Sequence, residues 1–110
     1  MTGNEYQILA ARTINHKLNA TQKELHALHL MASEVGEIHG LYQKVYQGHD
    51  FNTDDVKKEL GDLLWGIAEF CTANGFEMDK IMEMNIEKLR KRYPEGFSEE
   101  RSLNREDVME

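Results

Sequence analysis

Two short acidic tetrapeptides, Glu34-Val35-Gly36-Glu37 and Glu59-Leu60-Gly61-Asp62, carry the side chains most able to do chemistry in this chain. In each, the acids stand three residues apart, a spacing that puts both carboxylates on one side of a helix. Advancing about 100° per residue, each pair also lies beside the apolar stripe of its segment: Glu34 and Glu37 bracket Leu30, Ile38 and Leu41, while Glu59 neighbours Leu63 and Phe70. Inward-leaning carboxylates are costly unless a cation neutralises them. Hard divalent ions, which prefer oxygen ligands, are the simplest such cation.

A third stripe is the complement of the first two. Asn85, Lys88 and Arg92 share one face of a later segment, beside an apolar line of Met82, Ile86 and Leu89. An amide, an ammonium and a guanidinium in a row suit phosphate oxygens. Acids for metal and bases for phosphate describe a site for a metal–polyphosphate complex. Either acidic pair alone would be read as a solvated helix face; the combination carries the signal.

The elements that must position these groups read as all-helical, for there is a single proline and no sustained alternation of apolar residues. A short helix is expected over about 4–12, anchored by Tyr6, Ile8, Leu9 and Ile14. Thr21-Gln22-Lys23-Glu24 reads as a capping box that opens a long helix to about 47. Thr53 is expected to cap a helix over about 54–74, with Val56, Leu60, Leu63, Ile67 and Phe70 as its buried arc and Gly66 leaving room beside Asp62. Gly75 suits a left-handed stop, and a last helix over about 78–92 ends at Tyr93-Pro94. Residues 98–110 form a polar tail, either without fixed structure or folded over a neighbour, and Arg101 and Arg105 are its candidate phosphate contacts.

At 110 residues the chain makes one domain, residues 1–110. Its 40% hydrophobic content and mean hydropathy of −0.65 give a lone copy a modest core, so self-association is expected to complete the bundle. A net charge of −7 argues against nucleic acid or an anionic membrane as partner. The start of the chain lacks the basic-then-apolar pattern of a signal peptide. The lone Cys71 precludes an internal disulfide, reads as a buried structural thiol, and suits a reducing, cytoplasmic setting. His26 and His29 share a helical face, but two histidines without a third matching ligand do not make a zinc site. Neither Glu-x-x-His, a Walker-type loop nor a nucleophile elbow occurs.

Taken together, these residues resemble the MazG-like branch of the all-α nucleoside triphosphate pyrophosphohydrolase superfamily. Its signature of Glu-x-x-Glu followed by Glu-x-x-Asp reads here as Glu34/Glu37 and Glu59/Asp62. The likeness continues through Asn85-Ile86-Glu87-Lys88-Leu89-Arg90-Lys91-Arg92-Tyr93-Pro94-Glu95-Gly96-Phe97 and spans about residues 21–105. The resemblance implies hydrolysis of a nucleoside or deoxynucleoside triphosphate to the monophosphate and pyrophosphate, with Mg²⁺ or substituting Mn²⁺. It makes Glu34, Glu37, Glu59 and Asp62 metal ligands, with Glu37 or Glu34 alternatively handling the attacking water. Asn85, Lys88 and Arg92 would hold triphosphate or sugar, joined by Arg101 or Arg105. It also implies a homodimer or homotetramer.

Two other readings compete. A relative with another specificity would be a dUTP/dCTP pyrophosphatase or a phosphoribosyl-ATP pyrophosphohydrolase, decided by a base pocket to which His29, Tyr42, Trp65 and Phe70 could lend surface, although aromatics at such spacing more often belong to a core. From another class, the chain could be a noncatalytic helical module that binds nucleotide or metal, or a regulatory partner with a relic site; retention of all four acids argues against the relic, whose simplest signature would be the loss of one.

Overall fold

The computed structural model describes residues 1–104, and within them the chain is all-helical, in the order α1 (Gly3–Ala11), α2 (Ala20–Val45), α3 (Thr53–Asn74), α4 (Met78–Arg92) and α5 (Glu99–Leu103). The expectation for α4 coincides with the element. The start of α2 does not. Asn19 caps it: its side chain accepts from the Gln22 amide at 2.8 Å, and Gln22 accepts from the Asn19 amide at 3.0 Å. That reciprocal box lies two residues before the Thr21–Glu24 box, and asparagine is at least as good a cap as threonine. Likewise Asn52, rather than Thr53, caps α3 by accepting from the Asp54 amide at 2.9 Å. Gly75 ends α3 in the left-handed region at φ 69°, and the next amide, Phe76, donates to the Cys71 carbonyl. The tail contains the short helix α5, started by Ser98.

The helices α2 and α3 pack antiparallel and form the body of the molecule. They meet closely at Gly66, where a Cβ would come within 2.9 Å of both Leu30 and Met31. The glycine therefore serves helix-on-helix packing; it is not leaving room for a ligand beside Asp62. The buried positions of α3 are Gly66, Ala68, Glu69 and Cys71, whereas Leu60, expected inside, is 46% exposed. Small residues line this seam because two backbones meet there closely.

The first helix is held by the same logic. Thr2 and Glu5 make a capping box at its start, and its buried residues are Gly3 and Ala10, with Ile14 buried just beyond. Ile8 and Leu9, expected as anchors, point outward. Gly3 abuts the first turn of α4, where a Cβ would meet Met82 at 2.6 Å and Asp79 at 2.8 Å. Polar side chains of α1 then take the place of a cap. The amides of Met78 and Asp79 donate to Gln7 Oε1 at 2.9 Å and Asn4 Oδ1 at 3.0 Å, while Glu77, at the cap position itself, makes no side-chain cap bond. Two of the orphan amides at the start of α4 are thus satisfied from 71 and 75 residues away.

Cys71, Ala10, Ala68 and Met78 make the buried core, with Tyr6, Trp65 and Ile67 packed around it. Burial pushes the Cys71 thiol above its ordinary range, as suits a structural cysteine. Outside this core much apolar surface is uncovered. The stripe Met82, Ile86 and Leu89 on α4 is exposed, as are Leu60 and Leu64 on α3 and Val35 on α2. The radius of gyration is 17.3 Å, against about 13 Å for a compact chain of this length. No described helix is long and apolar enough to cross a membrane.

Candidate metal centre

Because α2 and α3 run antiparallel with Gly66 against Leu30 and Met31, the acids of their two tetrapeptides meet further along the seam. Glu34, Glu59 and Asp62 each offer a carboxylate oxygen within 4.8 Å of the others. Glu34 and Glu59 are half-buried and Asp62 is exposed, so the group opens to solvent on one side. Among the described residues this is the one group of three or more such side chains that could hold a metal ion.

The electrostatics of the group are those of a cation site. Glu34 is pushed from an ordinary 4.5 up to about 7, first by its hydrogen bond to the Glu59 carboxyl, then by burial, then by the charges of Glu59, Asp62 and Glu37. Three carboxylates this close cannot all ionise cheaply, so one retains a proton near neutrality. The second oxygen of Glu34, Oε2, is buried without a hydrogen-bond partner among the described residues. A half-buried carboxylate with an orphaned oxygen, beside two more hard oxygen donors, fits a divalent ion of the magnesium class.

Glu37 is exposed and stands outside the three-carboxylate group, acting on Glu34 as the last and weakest of the charges around it. Asn85, Lys88 and Arg92 lie on α4, whose packing partner in the chain is α1 rather than the acidic seam. The first two are exposed; Arg92 is half-buried, with its guanidinium 5.9 Å from the centre of the Tyr93 ring. Arg101 is half-buried on α5, lining a cleft with Pro94, Phe97 and Asn104. Arg105 falls outside the described residues. Within one chain, then, three of the four acids come together and the basic stripe is carried on a separate helix.

Two participants escape a reading of the sequence alone. Tyr6 on α1 reaches the seam, its hydroxyl 3.5 Å from the Gly61 carbonyl inside the second acidic motif. Burial and then the charge of Asp62 raise its ionisation above the ordinary range, so it stays a neutral hydroxyl there. Glu69, two turns along α3 from Asp62, is 1% exposed and pairs with His26 Nδ1 at 2.6 Å. The only sequence signal for Glu69 is its position on the stripe of Asp62 and Gly66. His26 shares its helical face with His29, but His29 takes no part in the pair. Of the aromatics weighed as base-pocket surface, Trp65 packs on the core and donates to Thr13 Oγ1 at 2.7 Å, Phe70 packs on Phe76, Tyr42 stacks on Phe51 at the surface, and His29 is exposed.

Comparison with known proteins identifies the family. Residues 22–97 match the MazG nucleotide pyrophosphohydrolase domain, a stretch that holds both acidic motifs and all of α3 and α4. The chain is also similar to the Gene 37 protein of Mycobacterium phage L5, 28% identical over 80 residues that cover 68% of this chain and 70% of that protein. No solved structure matches the chain significantly. The chain belongs to the MazG nucleotide pyrophosphohydrolase family.

Proposed function

We propose that this member of the family is a Mg²⁺-dependent pyrophosphohydrolase that converts a nucleoside or deoxynucleoside triphosphate to the monophosphate and pyrophosphate. The observation that carries the reading is the convergence of Glu34, Glu59 and Asp62 to within 4.8 Å at the seam of α2 and α3. These three would hold the ion. Bound there, magnesium supplies Lewis acidity and neutralises phosphate charge. Glu37, exposed one turn along α2 from Glu34, is free of that group and suited to orient or deprotonate the attacking water. No side-chain nucleophile is required.

Asn85, Lys88 and Arg92 would grip the triphosphate, adding charge stabilisation as the α–β bridge breaks. In a single chain α4 packs on α1 and leaves its Met82, Ile86 and Leu89 stripe in solvent. A second copy covering that stripe and the open Leu60, Leu64 and Val35 surface would complete the bundle and close the site, with Arg101 and Arg105 of the tail brought to phosphate. Glycines around the acids point the same way. A Cβ at Gly36, Gly40 or Gly61 would meet nothing within 4 Å among the described residues, yet each glycine costs a helix roughly 0.5–1 kcal/mol. Close approach by substrate or by a second subunit accounts for them.

The test is pyrophosphate release from a panel of canonical and modified NTPs and dNTPs with Mg²⁺, alongside Glu59→Gln and Glu37→Gln. Turnover of one class of nucleotide, abolished by both substitutions, supports the reading and begins to name the substrate. A folded protein that binds Mg²⁺ and turns over none of the panel would sink it.

A further inference from the structure

Glu69 is the one buried charged side chain among the described residues, 1% exposed. Its Oε1 meets His26 Nδ1 at 2.6 Å, and its Oε2 is buried with no hydrogen-bond partner among the described residues. Such a group is poorly explained as a stabiliser. Leaving a carboxylate oxygen unsatisfied inside a protein is costly, and the one partner of Glu69, His26, has a side chain that is itself 49% exposed. The pair therefore invites a role other than stability.

Its surroundings say what. His26 belongs to α2 and Glu69 to α3, so the bond crosses the seam that assembles the acidic centre. Along α3, Glu69 is seven residues past Asp62; along α2, His26 is eight residues before Glu34. In antiparallel helices those are the same direction, placing the pair about 10–12 Å from the carboxylates. Between them lies Gly66 against Leu30 and Met31. Apolar contacts of that kind press the helices together but are non-directional, and tolerate small slides along the axis. A 2.6 Å hydrogen bond between the buried Glu69 carboxylate and the half-exposed His26 imidazole is directional and resists such slides. The imidazole is itself held: it sits edge-on to Trp65 at 6.2 Å, Trp65 donates to Thr13 Oγ1, and Thr13 donates to the Ala10 carbonyl.

We infer that His26 and Glu69 are a positioning pair which sets the axial register of α2 on α3 and thereby the divalent-cation affinity of the Glu34, Glu59 and Asp62 centre. Stiff helices pass an axial slip to the carboxylates undiminished, and ligand distances in a metal site tolerate only about 0.2 Å. Neither residue touches the ion or substrate. The inference rests on the metal-centre reading above.

The experiment measures binding of Mn²⁺ alone, by electron paramagnetic resonance of the free ion, and metal-free melting temperature. It compares the parent chain, the double variant His26→Leu/Glu69→Met, and His26→Asn. The double variant removes both partners, so no unpaired charge is left to unfold it. Asparagine places an amide N–H close to where Nδ1 stood. The double variant is expected to melt no lower than the parent yet bind Mn²⁺ about tenfold more weakly, the low end of the cost of disturbing a metal site from outside its ligands. His26→Asn is expected to recover most of the affinity. With the parent active, raising Mg²⁺ should restore the double variant's kcat, since ligand placement and not chemistry was lost. Unchanged Mn²⁺ affinity in the double variant overturns the inference. So does a weaker site accompanied by a lower melting temperature that asparagine does not rescue, which would mark a merely structural pair. A parent that binds no Mn²⁺ overturns the metal centre and the inference together, whereas a parent that binds Mn²⁺ but hydrolyses no nucleotide removes only the reaction.

Discussion

Protons and metal should compete for Glu34, and the competition has a definite size. The carboxyl sits at about 7 because it shares a hydrogen bond with Glu59, is partly buried, and faces the charges of Glu59, Asp62 and Glu37. With that value, about nine-tenths of metal-free molecules carry the proton at about pH 6 and about one-tenth at about pH 8. A ligand must lose its proton to bind, so apparent Mg²⁺ affinity should be about tenfold weaker at the lower pH. Isothermal titration calorimetry in buffers of different ionisation enthalpy checks both the affinity and the proton released on binding. Stability responds in the opposite sense. A carboxyl raised from 4.5 in the unfolded chain to about 7 in the fold favours folding fully below 4.5, and that contribution disappears as pH rises through 7. The metal-free melting temperature should therefore fall between about pH 5 and pH 8, and saturating Mg²⁺ should cancel the fall. Glu34→Gln, unable to hold the proton or to ligate as an anion, should bind more weakly at every pH and lose the pH dependence. Persistence of the same pH dependence in Glu34→Gln would refute the assignment of the proton to this carboxyl.

Three further outcomes are expected. Gly66→Val should destabilise the chain by about 1–3 kcal/mol, since its side chain would press on Leu30 and Met31 from 2.9 Å; an unchanged denaturant midpoint would mean that the seam is not close-packed there. Asn4→Ala with Gln7→Ala should cost about 1–2 kcal/mol, as loss of a helix cap does, and should speed hydrogen exchange at the amides of Met78 and Asp79, with exchange elsewhere in α4 as the internal control. Ile86→Lys with Leu89→Lys should convert a self-associated species to monomer in light scattering, because both side chains lie on the uncovered stripe of α4; an unchanged mass would remove that stripe from the interface.

The features legible in the sequence are those written in local periodicity. The i, i+3 spacing of the acids places them on helices, and the run from Met78 to Arg92 with its proline stop fixes α4. Gly75 reads as a left-handed terminus, and it is one. The misreadings share a cause: they concern contacts between elements. Leu60, Ile8 and Leu9 follow helical spacing faithfully but face solvent, because α1 and α3 meet their neighbours through Gly3, Ala10, Ala68 and Gly66. Hydropathy marks large side chains as interior, whereas close-packed seams are made from small ones. Asn19 and Asn52 show a narrower limit, since neighbouring threonines offer equally plausible caps and only the backbone decides between them. Of the acids, Glu34, Glu59 and Asp62 converge, while Glu37 lies apart and exposed, a difference set by how α2 faces α3 and not by the i, i+3 spacing that both pairs share. Glu69 could not be picked out by charge alone, because burial of a carboxylate depends on His26, 43 positions away.

The borrowed cap on α4 bears on how the protein should be handled. The matched family region begins at residue 22, downstream of Asn4, Gln7 and Thr13, yet those residues bond the first turn of α4 and the indole of Trp65. A chain trimmed to the matched region would keep every acidic residue of the centre and still discard the clamp that seats α4. An affinity tag fused tightly against Gly3 would crowd the same joint, where there is no space even for a methyl group. A purification handle at this end therefore belongs behind a spacer long enough to leave the first helix undisturbed.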